Sequence, residues 1–216
     1  MSGKVTAGLP TPSTFVHGFF SIAQLGQFAL AGVSMLARWG IPGLFGREVR
    51  ADGTWDPGGV ASDFFLYAIY NRTVGAAMLA VTGDEGSEVI VYCHCAARSV
   101  YGSNGTVTVF AANPSSSPVT LKLLPSASSS PPAVPRQEFV LTAPDSVGGM
   151  ASQTPVLNGR VASPLTLGAG GSLPPMPGRY CSRGSGCEDD GLTLPPLSQG
   201  FFVLLGARAT AACGAA

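Results

Sequence analysis

The sequence predicts an α+β chain: a first third in which helix and strand alternate, then an antiparallel β-sandwich. Three observations carry that reading. Apolar residues recur at helical spacing from Phe15 to Leu30 and again from Asp63 to Val74. After Gly75 the period changes to two, in short runs separated by clusters of Gly, Pro and Ser. Of the 216 residues 45% are hydrophobic and only 11% are charged, so there is enough apolar surface to bury, and disorder throughout is excluded.

The first helix opens at Ser13 or Thr14, each with a short hydroxyl side chain of the kind that caps a helix N-terminus. Apolar residues fall at Phe15, Phe19, Ile22, Phe28 and Ala29, with Phe20, Ala23 and Leu30 on a neighbouring face. A helix apolar on most sides is expected to lie between other elements. Gly32 ends it. Val33 to Ala37 is a short, mostly apolar run suited to a fully buried strand, and the segment GIPGLFGREVRADGTWDPGG after it reads as an irregular loop. A second helix follows from Asp63 to Val74, with Phe65, Leu66, Ile69 and Tyr70 inward. Strand, loop and helix in this order form the repeating unit of an α/β fold.

Thr14 to Ala37 carries no formal charge and is long enough to cross a bilayer. His17, Gln24, Gln27 and the glycines within it are costly in lipid, and a buried helix followed by a strand accounts for the same run.

The strands expected after Gly75 are Ala77–Val81, Glu88–Cys95, Thr106–Ala112, Val119–Leu124, Glu138–Thr142 and Phe201–Leu205. Asn113 to Pro118 is expected to join two of them as a hairpin loop. Short strands with such turns indicate a sandwich. The domain division is therefore 1–75 and 76–216, with loop insertions near 125–135, where the serine- and proline-rich SASSSPPAVP lies, and at 168–191.

Twelve basic and twelve acidic residues are scattered singly, with no net charge. No basic cluster exists to neutralise phosphate or sulfate runs, so nucleic acid and strongly anionic polymers are excluded as electrostatically captured partners. Two sequons, at Asn71 and Asn104, and five cysteines point to a secretory compartment and to glycosylation of those asparagines. The opening MSGKVTAGLPTPST has no apolar core and does not read as a signal peptide. Either the protein is cytosolic or the functional protein does not begin at Met1.

The stretch VYCHCAARS invites a metal reading, because thiolate and imidazole are zinc ligands. A strand defeats it. Side chains alternate, so Cys93 and Cys95 point one way with Val89 and Val91, and His94 points the other way with Ile90 and Tyr92. The only other histidine is His17, and no metal site is expected. The alternative is a strand cysteine bonded to Cys213, just past the last strand. Such a bond closes a loop of roughly 120 residues and contributes on the order of 4 kcal/mol in the chain-entropy model. Cys181 and Cys187 are spaced to close a small loop, leaving one cysteine over, Cys93 on this reading.

The run TFVHGFFSIAQLGQFALAGVSMLARWG, the strand VYCHC, the turn VLNG, the segment LTLPPLSQGFFVLL and the terminal AAC resemble, in order and over nearly the whole chain, the C-terminal part of heparanase-like glycoside hydrolases of family 79. The resemblance matches Thr14-Phe15 to the opening of a helix that ends near Leu25-Gly26, and Arg38 to the end of the following strand. It pairs His94-Cys95 with Cys213, hence Cys95 with Cys213. It implies the last β/α unit or units of a (β/α)8 TIM barrel followed by the sandwich, with the active site at the C-terminal ends of the barrel strands.

The implied activity is that of a retaining endo-β-glucuronidase acting on polysaccharides or proteoglycans, without a cofactor. Its two glutamates lie about 5–5.5 Å apart, one ionised and one protonated. The family's nucleophile falls just ahead of Met1 and its acid/base further upstream, so no catalytic residue is expected in this chain. Its glutamates, Glu48, Glu85, Glu88, Glu138 and Glu188, lie in loop or sandwich contexts. Glu48 with Asp52 or Asp56 is the one conceivable substitute pair, in a loop that carries charge because it is wet.

Gly46 and Arg47 stand where the family's loop meets the sugar, with Arg47 able to pair with a uronic carboxylate, although the family's Asn and Tyr are missing. The implied partner is a glucuronide-containing polysaccharide held through the rest of the barrel. Any membrane contact is peripheral, and a full-length member is secreted, lysosomal or vacuolar, or membrane-associated. The alternative is a non-catalytic sandwich module that binds a glycan or a protein. Tyr92, Tyr101 and Phe110 are the aromatic candidates for it, although strand aromatics usually belong to the core.

Overall fold

The structure is a computed structural model that describes residues 14–33, 61–82, 87–102, 105–122, 135–144, 148–159, 165, 168, 172–182, 184–185, 187, 191–205 and 207–213. Helix α1 spans His17–Leu30 and α2 spans Ser62–Thr73. Strands β1 (Val74–Leu79) and β2 (Ile90–Ala96) follow, then a single turn, α3 (Arg98–Tyr101). Next come β3 (Val107–Asn113), β4 (Val119–Leu121), β5 (Arg136–Thr142) and β6 (Val156–Leu157). The last elements are β7 (Arg179–Cys181), β8 (Leu192–Leu194), β9 (Ser198–Leu204) and α4 (Thr210–Cys213).

Seven strands form one sheet in the order β1-β2-β3-β9-β5-β6, with β7 also on β5, and β4 and β8 form a separate ribbon. Each of these strand pairs is antiparallel. β6 and β7 share the free edge of β5, β6 along Leu141 and Thr142 and β7 along Arg136 to Glu138.

The sheet has a different cover on each face. Phe15, Phe19, Ile22 and Leu25 of the α1 region and Phe65, Leu66 and Ile69 of α2 pack with Tyr92, Phe110, Phe139 and Phe201. On the opposite face Val107, Val109, Phe202 and Leu204 pack with Leu192 and Leu194 of the ribbon. The helix-side core is thus continuous across Gly75.

α1 lies close because Gly26 has no side chain. A Cβ there would stand 2.1 Å from the Tyr92 ring, and the Tyr92 hydroxyl is held by Gln27 Nε2 at 3.1 Å and donates to Ala23 O at 3.4 Å.

Four expectations are corrected. The cap of α1 is Val16, with no side-chain cap bond, so Thr14 lies ahead of it; Ser13 is outside the described residues. α1 is not covered on most sides: Phe20 is 56% and Leu30 61% exposed, because its inner face alone meets the sheet. Asn113–Pro118 is no hairpin, since β3 pairs with β2 and β9 while β4 pairs with β8. Asn113 explains the crossing: its Oδ1 accepts from the Ser115 amide and its Nδ2 donates to Pro195 O, which turns the chain toward the ribbon. Strand limits also shift, with β1 starting at Val74 and β9 at Ser198.

Gly32, with φ +75°, closes α1: its amide donates to Ala29 O and that of Val33 to Phe28 O. The strand expected at Val33–Ala37 lies, beyond Val33, outside the described residues. α1 is 14 residues long, and no helix among the described residues is long and apolar enough to cross a membrane.

Candidate functional site

The VYCHC strand resolves as alternation demands. Cys93 and Cys95 of β2 belong to the ribbon-side cluster with Val89 and Val91, while Tyr92 and Ala96 belong to the helix-side core. His94 faces the same core, its ring centroid 5.6 Å from that of Phe110. No ion can be shared across a strand in this way.

His94 is 2% exposed and its Nδ1 donates to Gly75 O at 3.0 Å, which fixes Nε2 as the unprotonated nitrogen. Nε2 is buried without a hydrogen-bond partner among the described residues. Burial holds the imidazole below its ordinary pKa and the Gly75 bond offsets this only in part. His94 therefore ties β2 to β1 as a neutral ring and does not serve as a proton donor.

Cys95 is bonded to Cys213, with Cα atoms 5.4 Å apart and a sequence separation of 118. The bond fixes α4 against β2, and Arg98 Nη2 donates to Cys213 O at 2.8 Å from the neighbouring turn. Cys181 is bonded to Cys187. Cys93 is the free cysteine, its thiol pushed up to about 12 by burial, so it is a poor nucleophile at neutral pH.

Two ionic clusters went unrecognised in the sequence. At the helix N-termini, His17 Nδ1 stands 3.0 Å from Asp63 Oδ2, and Ser21 Oγ is 3.5 Å from the same Nδ1. A carboxylate orienting an imidazole is how a general base is held. Here the serine sits on the oriented nitrogen and not on the opposite one, so no activated nucleophile results. Asp63 at the first turn of α2 was the visible signal, since acids favour helix N-termini.

The second cluster is on the ribbon side of the sheet. Arg136 Nε donates to Glu138 Oε1 at 2.8 Å, and Arg179 Nε donates to Oε2 at 2.8 Å, with Arg179 Nη2 on the same oxygen. Arg136 and Glu138 are each 1% exposed. Two charges at i and i+2 in the apolar run RQEFVLT share one face, which was the available signal; the third partner, 41 positions away, gave none.

The Glu138 carboxylate and the sulfurs of Cys181 and Cys187 lie within 4.8 Å of one another. The sulfurs are joined and offer no thiolate, so this group does not fit a metal.

Asp63 and Glu138 are the buried carboxylates among the described residues, and the sheet stands between them. Glu138 spends both oxygens on arginines. Glu88 is exposed just ahead of β2. Glu48, Asp52, Asp56, Glu85, Glu188, Gly46, Arg47 and Asn104 lie outside the described residues. Asn71 is exposed in the last turn of α2. Of the aromatic candidates for a glycan-binding face, Tyr92 (7% exposed) and Phe110 (0%) are core residues. Tyr101 is half-buried, its hydroxyl donating to Gln137 Oε1 at 3.0 Å. The VLNG turn is structural: Asn158, at φ 57°, donates its amide to Val140 O and accepts from Val140 N on Oδ1.

No family model matches the chain. Over nearly its whole length it is similar to heparanases. It is 28% identical over 210 residues to heparanase of Bos taurus, covering 93% of this chain and 34% of that protein. It is 29% identical over 220 residues to heparanase of Mus musculus, covering 98% and 37%, and 26% identical over 222 residues to heparanase-like protein 1 of Arabidopsis thaliana, covering 92% and 38%. The chain thus spans little more than a third of the length of the curated relatives it matches. Among solved structures, BuGH86 in complex with neoagarooctaose is similar at a TM-score of 0.46 and 13% identity, over 87% of this chain and 26% of that one. A variant of it in the same complex gives 0.42 and 14%, over 84% and 22%. Likeness at that level carries no weight for fold or function.

Proposed function

We propose that this chain is the C-terminal portion of a heparanase-like retaining glycoside hydrolase that cleaves β-glucuronides of a polysaccharide or proteoglycan. In this reading residues 1–75 supply the last β/α unit of a catalytic (β/α)8 barrel, and 76–216 form a supporting sandwich. Both catalytic glutamates come from a preceding part of the protein, so the 216-residue chain alone is inactive. The supporting observation is co-linear similarity over 92–98% of this chain against 34–38% of the three relatives named above.

Retaining hydrolysis needs two carboxyl groups about 5–5.5 Å apart facing one sugar. Asp63 and Glu138 are separated by a sheet, and each is already engaged with a basic side chain. The sandwich would hold the barrel unit from behind, through the aromatic contacts of α1 and α2 with β2, β3 and β9. Sequencing the transcript on the 5′ side of the Met1 codon tests the reading. An in-frame extension that encodes a barrel with two glutamates is expected; a message that begins at Met1 would refute it.

A further inference from the structure

The sequon Asn71-Arg72-Thr73 is not used by any contact or chemistry described so far, and the fold treats its two reading groups in opposite ways. Asn71 is exposed. Thr73 is 0% exposed and its hydroxyl donates to Ile69 O at 2.8 Å. Its carbonyl accepts from Thr108 Oγ1 at 2.6 Å and from the Ala97 amide at 3.0 Å. Residues two apart on a helix do not face the same way. Glycan transfer to a sequon engages the asparagine amide together with the hydroxyl two residues on, and the folded helix cannot present both at once.

We propose that Asn71 is an N-glycosylation acceptor which is modified on the unfolded chain and closed to modification once α2 has docked. The donor class is an oligosaccharide carried on a lipid diphosphate. The Asn71 amide nitrogen bonds to the anomeric carbon while the bond from that carbon to the diphosphate oxygen breaks. The diphosphate leaves with its lipid, and the amide proton passes to a base of the transferase. The two disulfides, Cys95–Cys213 and Cys181–Cys187, belong to the same oxidising compartment in which such a transfer occurs. The finished glycan stands in solvent at the C-terminal end of α2, clear of the helix face that meets the sheet. It costs the fold nothing, whereas Thr73 is needed in the core.

The test uses the full chain behind a cleavable secretory leader, in an Asn104→Gln background that leaves Asn71 as its remaining sequon. Translated with microsomes, the leader-cleaved product is expected to gain the mass of one oligosaccharide and to lose that gain on Asn71→Gln. The purified, unglycosylated, disulfide-bonded chain, given solubilised transferase and the same donor, is expected to stay unmodified. The reduced and denatured chain is expected to acquire the sugar. A leader-cleaved product without added mass overturns the proposal, and so does equal modification of folded and unfolded chain.

Discussion

On one face of the seven-stranded sheet, α1 and α2 lay down phenylalanines against Tyr92, Phe110 and Phe201, and the polar groups there are His94, Gln199 and Thr108 together with the His17–Asp63 pair at the helix N-termini. On the other face, a two-stranded ribbon leaves room for an ion triad, with Arg136 and Glu138 buried and Arg179 at its rim, and for two disulfides. The helix side is held by area and shape. The ribbon side is held by a few strong bonds between residues distant in sequence. Packing spread over many contacts tolerates single changes, whereas a face that depends on few bonds loses much when one is removed.

The largest effect is expected from that second face. Cys95→Ser with Cys213→Ser opens a loop with a sequence separation of 118 and is predicted to cost about 4 kcal/mol by urea denaturation. Glu138→Gln removes the carboxylate charge from the buried ion pair with Arg136, while Arg179, its side chain 39% exposed, rehydrates. The expected loss is about 3 kcal/mol, and the double variant Glu138→Leu/Arg136→Met should recover most of it in the same assay. If both changes prove nearly neutral, the contrast between the faces is wrong.

The helix side should respond to shape. Gly26→Ala places a methyl group in the Tyr92 ring, which its hydroxyl bonds keep from swinging aside. The expected cost is about 2 kcal/mol, against the roughly 1 kcal/mol that alanine gains over glycine within a helix. Gly26→Ala with Tyr92→Ala should cost less than the sum of the two single changes.

The smallest effect is a pH dependence. The unfolded chain binds a proton at His94 near pH 6.5, but folding lowers that pKa through desolvation. The unfolded state thus holds more protons below about pH 6.5, and stability falls as pH drops from there through the folded value. Above that range His94 contributes no pH dependence. Denaturation midpoints at pH 7.5 and 5 should differ less in His94→Leu than in the parent chain.

This contrast also explains what was legible in the sequence. Helix periodicity placed Phe19, Ile22, Phe65 and Ile69 in the core, and strand alternation separated His94 from its flanking cysteines, because each depends on neighbours a few positions away. The tie of Glu138 to Arg179 depends on β7 returning to the edge of β5, which no local period records. The outer face of α1 misled for the opposite reason. Its phenylalanines fit a helix buried all round, and periodicity shows which residues share a face but not how many faces are covered. Asn113 reads as a hairpin residue in the sequence because turn composition marks where a chain turns and not which strand it reaches.

The central claim is that the chain contributes fold and no catalytic carboxylate to a glycosidase. Its most direct test is turnover of an aryl β-glucuronide by the purified 216-residue chain, after mass spectrometry has confirmed both disulfides. The account predicts release indistinguishable from the buffer blank across pH 4 to 8, where about one glutamate of a working pair must be protonated and the other ionised. Turnover that persists through further purification and rises in proportion to the chain would contradict it.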